Sequence, residues 1–324
     1  MGVFTRRKDA RERYRCFFAT DVHGSDRCFR KFVAAAQAYD ANALILGGDV
    51  AGKAIVPIVA RRDGRRDVLF HGERQVLDGE ALEETLGAIR RQGFYPWECE
   101  PEGFARLEQD REFRDATFEQ LIVDQLTGWC DLAAERLPEE VRCIITPGND
   151  DPFAIDDVLH DHPRIECPER EVAEVGPIRL ASLGNTNRTP WDTDREYDED
   201  ELGRQIDELL DGDPGTGLVL NFHCPPFRSG LDNVAKLDEQ LAPVVQHGAP
   251  LQVPVGSTAV REAIERYGPE VGLHGHIHEG RGEVRIGRTL CLNPGSDYGA
   301  GTLNGAIVDF GPDGAYRSHL LTVG

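Results

Sequence analysis

Residues 13–49 read RYRCFFATDVHGSDRCFRKFVAAAQAYDANALILGGD, and this stretch decides the fold. Residues 13–20 and 42–47 are apolar runs of strand length, each leading into an acidic motif. Between them, over 25–39, Cys28, Phe29, Phe32, Val33 and Ala36 recur at helical spacing. The pattern predicts a strand, a helix and a second strand, with Asp21 and Asp49 delivered at the strand ends. Such an opening points to an α/β domain.

Working outward, 141–147 (VRCIITP) is the next strand, ending at Gly148-Asn149. Further strands are predicted at 177–183, 217–223, 270–274, 283–286, 289–293 and 304–310, with helices at 198–210 and 257–267. A βαβ start followed by a dense run of strands fits two facing sheets with helices outside, an αββα sandwich. The whole chain, 1–324, reads as a single domain. Residues 52–140 stand apart, because a simple crossover needs far fewer residues. They open with a hairpin, Ala54–Ala60 and Asp67–Leu77, joined by a turn at Arg61–Arg66. Helices are predicted at 80–92 and 104–136, the second with Phe118, Leu121, Ile122, Leu126, Trp129, Cys130, Ala133 and Leu137 on one face. This segment reads as a hairpin-plus-helix insertion beside the core and a candidate cap over the active site.

Net charge is −21, and only Lys8, Lys31, Lys53 and Lys236 of the 36 basic residues are lysine. An acidic, Arg-rich surface argues against affinity for long nucleic acid or anionic membrane and fits adaptation to high salt. Eight cysteines without a C-x-x-C pair do not form a disulfide framework. No secretory signal and no transmembrane-length apolar run is present, so a cytoplasmic location is expected. The oligomeric state is not legible.

Five short segments carry the chemistry: Asp21-Val22-His23, Gly48-Asp49, Gly148-Asn149-Asp150-Asp151, His223-Cys224-Pro225-Pro226 and Gly275-His276-Ile277-His278. Each follows a predicted strand, where rigid ends let distant side chains converge. Imidazole and carboxylate suit Mn, Fe, Zn, Co or Ni. Asp49 is the natural bridge between two ions, since a carboxylate has two oxygens. His276 and His278 alternate on an extended segment and so point the same way.

These segments, in this order over residues 21–278, resemble the signature of the calcineurin-like metallophosphoesterase superfamily. The resemblance implies the same layered fold and two divalent transition-metal ions, manganese among them. Asp21, His23, Asp49 and His278 would hold one ion; Asp49, Asn149, His223 and His276 would hold the other. It implies hydrolysis of a small phosphate ester by in-line attack of a metal-bridging hydroxide. Asp49, Asn149, Asp150 and His276 are then the expected catalytic residues, and Asn149, Asp150 and His223 the substrate contacts, with His71 and Arg188 as further candidates. Asp150 stands where the superfamily commonly has His. Near two cations it is expected to stay ionised and donate no proton, which leaves His71 or His274 as alternative acids. Asp151 is expected to orient its neighbours. The turn Asn293-Pro294-Gly295-Ser296 is either structural or part of the site lining. Monoester, diester and pyrophosphate substrates stay open, with the insertion and the replaced His favouring a diester or small nucleotide. The other readings are a nuclease, supported by Arg61, Arg62, Arg65 and Arg66, and a non-catalytic metal-binding scaffold.

Overall fold

A computed structural model describes residues 13–212, 215–238, 240–246 and 248–324; His247, read as a surface residue, lies outside them. Two sheets face each other. The first has strand order Tyr316–Val323, Asn304–Phe310, Tyr14–Ala19, Ala43–Gly47 and Arg142–Thr146. Its last three strands are parallel, and the C-terminal hairpin closes the other edge antiparallel. The second runs Gly282–Ile286, Thr289–Asn293, Val271–Leu273, Leu218–Phe222, Ile178–Leu183 and Val172–Val175, with its central four strands parallel.

Alternation along each strand sorts side chains between layers. Cys16, Phe18, Ile45 and Ile144 point into the sandwich, against Leu180, Val219, Val271 and Leu290 of the second sheet. Their neighbours Phe17, Leu44, Leu46, Cys143 and Ile145 face outward to a helical layer. The helix Asp26–Tyr39 supplies Phe29 and Phe32 to that layer, and its N-cap is Ser25. Helices Glu199–Leu209 and Thr258–Tyr267 cover the second sheet. The five motif-bearing strands are parallel within their sheets, so their carboxyl ends and the turns beyond them can meet at one edge of the sandwich.

Three expectations for 52–140 need correction. The second hairpin arm is two strands, Arg66–Phe70 and Glu73–Leu77, broken at His71-Gly72, where both residues adopt positive φ (52° and 77°). A strand unforeseen because it contains Pro96, Phe94–Cys99, pairs parallel to Ala54–Ala60 and completes a four-stranded sheet. The single helix expected over 104–136 is two, Pro101–Gln109 and Arg111–Arg136. Asp110 separates them, its carboxylate capping Phe113 N–H at 3.0 Å.

The small sheet has its own core of Val56, Ile58, Val68, Leu86 and Ile89. The long helix does not belong to it. Ile122, Leu126, Trp129, Cys130 and Ala133 pack with Phe29, Phe32 and Ile155 in the layer over the first sheet. Trp129 stacks on Phe29, centroids 4.3 Å apart, and donates its indole N–H to Asp26.

Candidate metal centre

Asp21, His23, Asp49 and His276 all hold left-handed backbone conformations, with φ of 52°, 40°, 53° and 64°. Such conformations are uncommon for non-glycine residues and cluster at sites where side chains are aimed for function. The adjacent glycines have a steric reason. A Cβ on Gly148 would collide with the Asp49 carboxylate and the His223 ring, and one on Gly275 with Thr20 and Asp21. These turns therefore pass so close to the acidic ligands that only glycine fits.

Six of the seven residues expected as ligands fall into two groups, and Asn149 adjoins them through Asp150, to whose Oδ1 its amide donates. Asp21, His23 and His278 offer donor atoms within 4.8 Å of one another, and so do Asp49, His223 and His276. His23 Nε2 lies 3.0 Å from His278 Nε2 and 3.6 Å from Asp49 Oδ2. His223 Nε2 lies 3.3 Å from Asp49 Oδ1, which puts Asp49 between the two groups.

The partners of each ligand fix its orientation. His223 Nδ1 sits 2.9 Å from Gly47 O, so this nitrogen carries the proton and Nε2 faces the site. The Asn149 amide is pinned by its nitrogen, which donates to Thr193 Oγ1 (3.0 Å) and Asp150 Oδ1 (3.1 Å). Thr193 is held in turn by Glu196 at 2.8 Å. The Asp21 carboxylate accepts the His276 N–H at 3.1 Å, and Ser296 Oγ donates to Asp21 O at 2.6 Å. Asn293 Nδ2 donates to Gly275 O and Ile277 O, so the Asn293–Ser296 turn braces the histidine segment and also borders the site. Asp151 behaves as expected of an orienting residue, accepting N–H bonds from Val50, Ala51 and Gly148.

The residues fit divalent cations on one direct test. Asn149 Oδ1 and His223 Nε2 are buried polar atoms without a hydrogen-bond partner, and both are donors of the kind such ions take. The electrostatics divide the ligands. Burial holds His23 and His276 down, to about 3 and about 4, as neutral imidazoles. Burial would also lower His223, but the carboxylates of Asp49 and Asp21 outweigh it and push the group up to about 10. For Asp21 burial is overcome by His278 and His223, and the carboxyl is lowered to about 2.

Other expectations change. Asp150 is not a free carboxylate: it ion-pairs with Lys53, and its N–H donates to Asp49 Oδ1 at 3.0 Å. Without cations in the site, burial and Asp49 raise its pKa against the pull of Lys53. His274, an alternative acid, is fully buried with Nδ1 on the carbonyls of Phe222 and Cys224. His71 is exposed and bonded to Gln92 at 2.6 Å. Arg188 is engaged by Asp192 and Asp198. Asp232, in the loop after His223, is buried and accepts the N–H groups of Arg228, Ser229 and Gly256. The sequence reading missed Lys53, Thr193 and Tyr298, whose ring centroid lies 4.7 Å from that of His23. The scarcity of lysine in the chain was the one signal that could have singled out Lys53.

No family model matches the chain. An uncharacterised protein of Methanocaldococcus jannaschii is 28% identical over 193 residues, which cover 57% of this chain and 80% of that protein. One crystal structure superposes with a TM-score of 0.54 at 17% identity, covering 96% of this chain and 98% of the other. The crystal structure of the protein TT1561 of Thermus thermophilus superposes at 0.47 with 13% identity, over 96% and 98% of the two chains. Fold and site together define an αββα sandwich with a cluster of metal-ligating side chains at its strand ends. The superposition over nearly the whole of both chains shows a shared layered fold, and the placing of the motif residues agrees with the resemblance read from the sequence. Among the described residues no helix is long and apolar enough to cross a membrane.

Proposed function

We propose that the chain is a metal-dependent phosphoesterase that hydrolyses a small phosphate ester at a dinuclear centre. Asp21, His23 and His278 would hold one ion and Asn149, His223 and His276 the other, with Asp49 shared. The observation that carries the reading is the pair of ligand groups meeting at Asp49, with Asn149 Oδ1 and His223 Nε2 left without protein partners. Two bound cations would supply Lewis acidity toward a phosphoryl oxygen and an activated water.

The protein's own part is positioning. Gly47 O sets the His223 tautomer, Thr193 aims the Asn149 carbonyl, and Asp151 ties the Gly48-Asp49 turn to the Gly148-Asn149 turn. These contacts orient the ligand side chains through groups outside the ligand set. Of the arginines behind the nuclease reading, Arg61, Arg65 and Arg66 are in exposed ion pairs with Asp67, Asp63 and Glu98. The test is elemental analysis of chelator-free protein joined to assays on p-nitrophenyl phosphate and bis(p-nitrophenyl) phosphate with Mn, Co, Ni and Zn. Two metals with turnover of either ester support the reading. Full metal content without turnover of any ester or of DNA would leave the scaffold.

A further inference from the structure

Lys53 is the first side chain beyond the Gly48-Asp49 turn that reaches back into the site. Its backbone is clamped where the chain leaves the core for the small sheet. Lys53 N–H donates to Gly93 O at 3.1 Å, and Gly52 N–H donates to Tyr95 Oη at 2.7 Å. A Cβ on Gly52 would strike Gly93 O and the Tyr95 ring, so the approach of the two segments admits no side chain there. From this anchor Nζ pairs with Asp150 Oδ2, while Asn149 occupies Oδ1 of the same carboxylate. Asp150, His23 and Asp49 have donor atoms within 4.8 Å of one another, which puts the ammonium at the margin of both ligand groups. Its side chain remains 36% exposed, and that of Asp150 25%, so the pair faces solvent on one side.

Two arginines of the neighbouring loop are committed elsewhere. Arg195 is 3% exposed and spent on Asp151 O, Pro152 O and Asp156. Arg188 lies in an exposed pair of ion pairs. In a chain with only four lysines among 36 basic residues, a compact ammonium stands where an arginine fork would be the compositional default. A half-exposed ion pair is worth little to stability, so stability alone does not account for it. A phosphate oxygen arriving between the ligand groups would compete with Asp150 for this ammonium.

We propose that Lys53 is a substrate-binding residue that takes a non-bridging phosphoryl oxygen, releasing Asp150 as it does so, and that it biases the site toward phosphomonoester dianions over diesters. A monoester presents three non-bridging oxygens and two charges, leaving one oxygen for Lys53 after the ions are served. A diester presents two non-bridging oxygens and one charge. The inference rests on the phosphoesterase reading and reverses the diester preference expected from the sequence.

The test uses the full chain loaded with manganese, as wild type, Lys53→Met and Lys53→Gln. Inorganic phosphate binding is measured by calorimetry, and kcat/KM is measured on p-nitrophenyl phosphate and bis(p-nitrophenyl) phosphate. Losing one charge-assisted hydrogen bond should weaken phosphate binding and monoester kcat/KM by about 10–100-fold. Diester kcat/KM should change by less than about 3-fold, with metal content and melting temperature unchanged. Unchanged phosphate affinity, or equal losses on both esters, overturns the proposal. Because phosphate binding needs no turnover, weakened binding without hydrolysis of either ester would sink the phosphoesterase reading and leave the clamp.

Discussion

Excision of residues 52–140, replaced by a short Gly-rich linker, should abolish cooperative folding. The segment looks removable in the sequence, since it lies between two motifs and begins with a self-contained sheet. Its long helix nevertheless puts Ile122, Leu126 and Trp129 into the layer that covers Phe17, Leu44 and Ile145, with Leu137 following at the helix end. Burying one large apolar side chain contributes about 1.5–3 kcal/mol, so these four account for about 6–12 kcal/mol. A domain's entire net stability is about 5–15 kcal/mol. The excision would also bare Phe29 and Phe32, which the helix now covers. A milder perturbation scales the argument. Trp129→Ala removes the ring stacked on Phe29 and the hydrogen bond to Asp26, and should cost about 3–5 kcal/mol. Urea titration followed by circular dichroism reads both. A cooperative transition in the excised chain, with wild-type metal content, would refute the packing argument. So would a Trp129→Ala shift below about 1 kcal/mol.

Three further outcomes follow from the site. Asp49→Ala should lose both metals, because its oxygens face both ligand groups; elemental analysis retaining full content would sink the shared-ligand assignment. Metal affinity should rise with pH. His223 is raised to about 10 and His278 is raised as well, burial opposing and the Asp49 and Asp21 carboxylates prevailing, so protons compete with the ions at neutral pH. Calorimetry at pH 7 in buffers of different ionisation enthalpy should therefore detect proton release on metal binding, and none would contradict the assignment. Asp151→Ala should destabilise the fold by about 3 kcal/mol or more, since the N–H groups of Val50, Ala51 and Gly148 lose their acceptor at about 1–3 kcal/mol each. A change in thermal midpoint no larger than that of an exposed substitution would show that water replaces the carboxylate.

How much of this was legible follows from the range of each interaction. The strands ending at Ala19, Gly47, Thr146, Phe222 and Leu273 announce themselves, because buried parallel strands are short apolar runs and their ends carry glycine and ligand types. The candidate ligands were readable for the same reason: type and position relative to a strand end are local properties. The break at Asp110 was misread, since a local cap overrode the periodicity, and the strand across Pro96 went unread because its pairing with Ala54–Ala60 is not local. Other features have no local signature. Asp150 and Lys53 are 97 residues apart, Asn149 and Thr193 are 44 apart, and Gly93 meets His23 only through the folded chain. The sequence by itself determined which side chains can bind metal and in what order the strands present them. Tertiary structure alone decided which lysine stands beside them, which threonine aims the amide and which helix closes the core, because those choices depend on contacts between segments that no local pattern encodes.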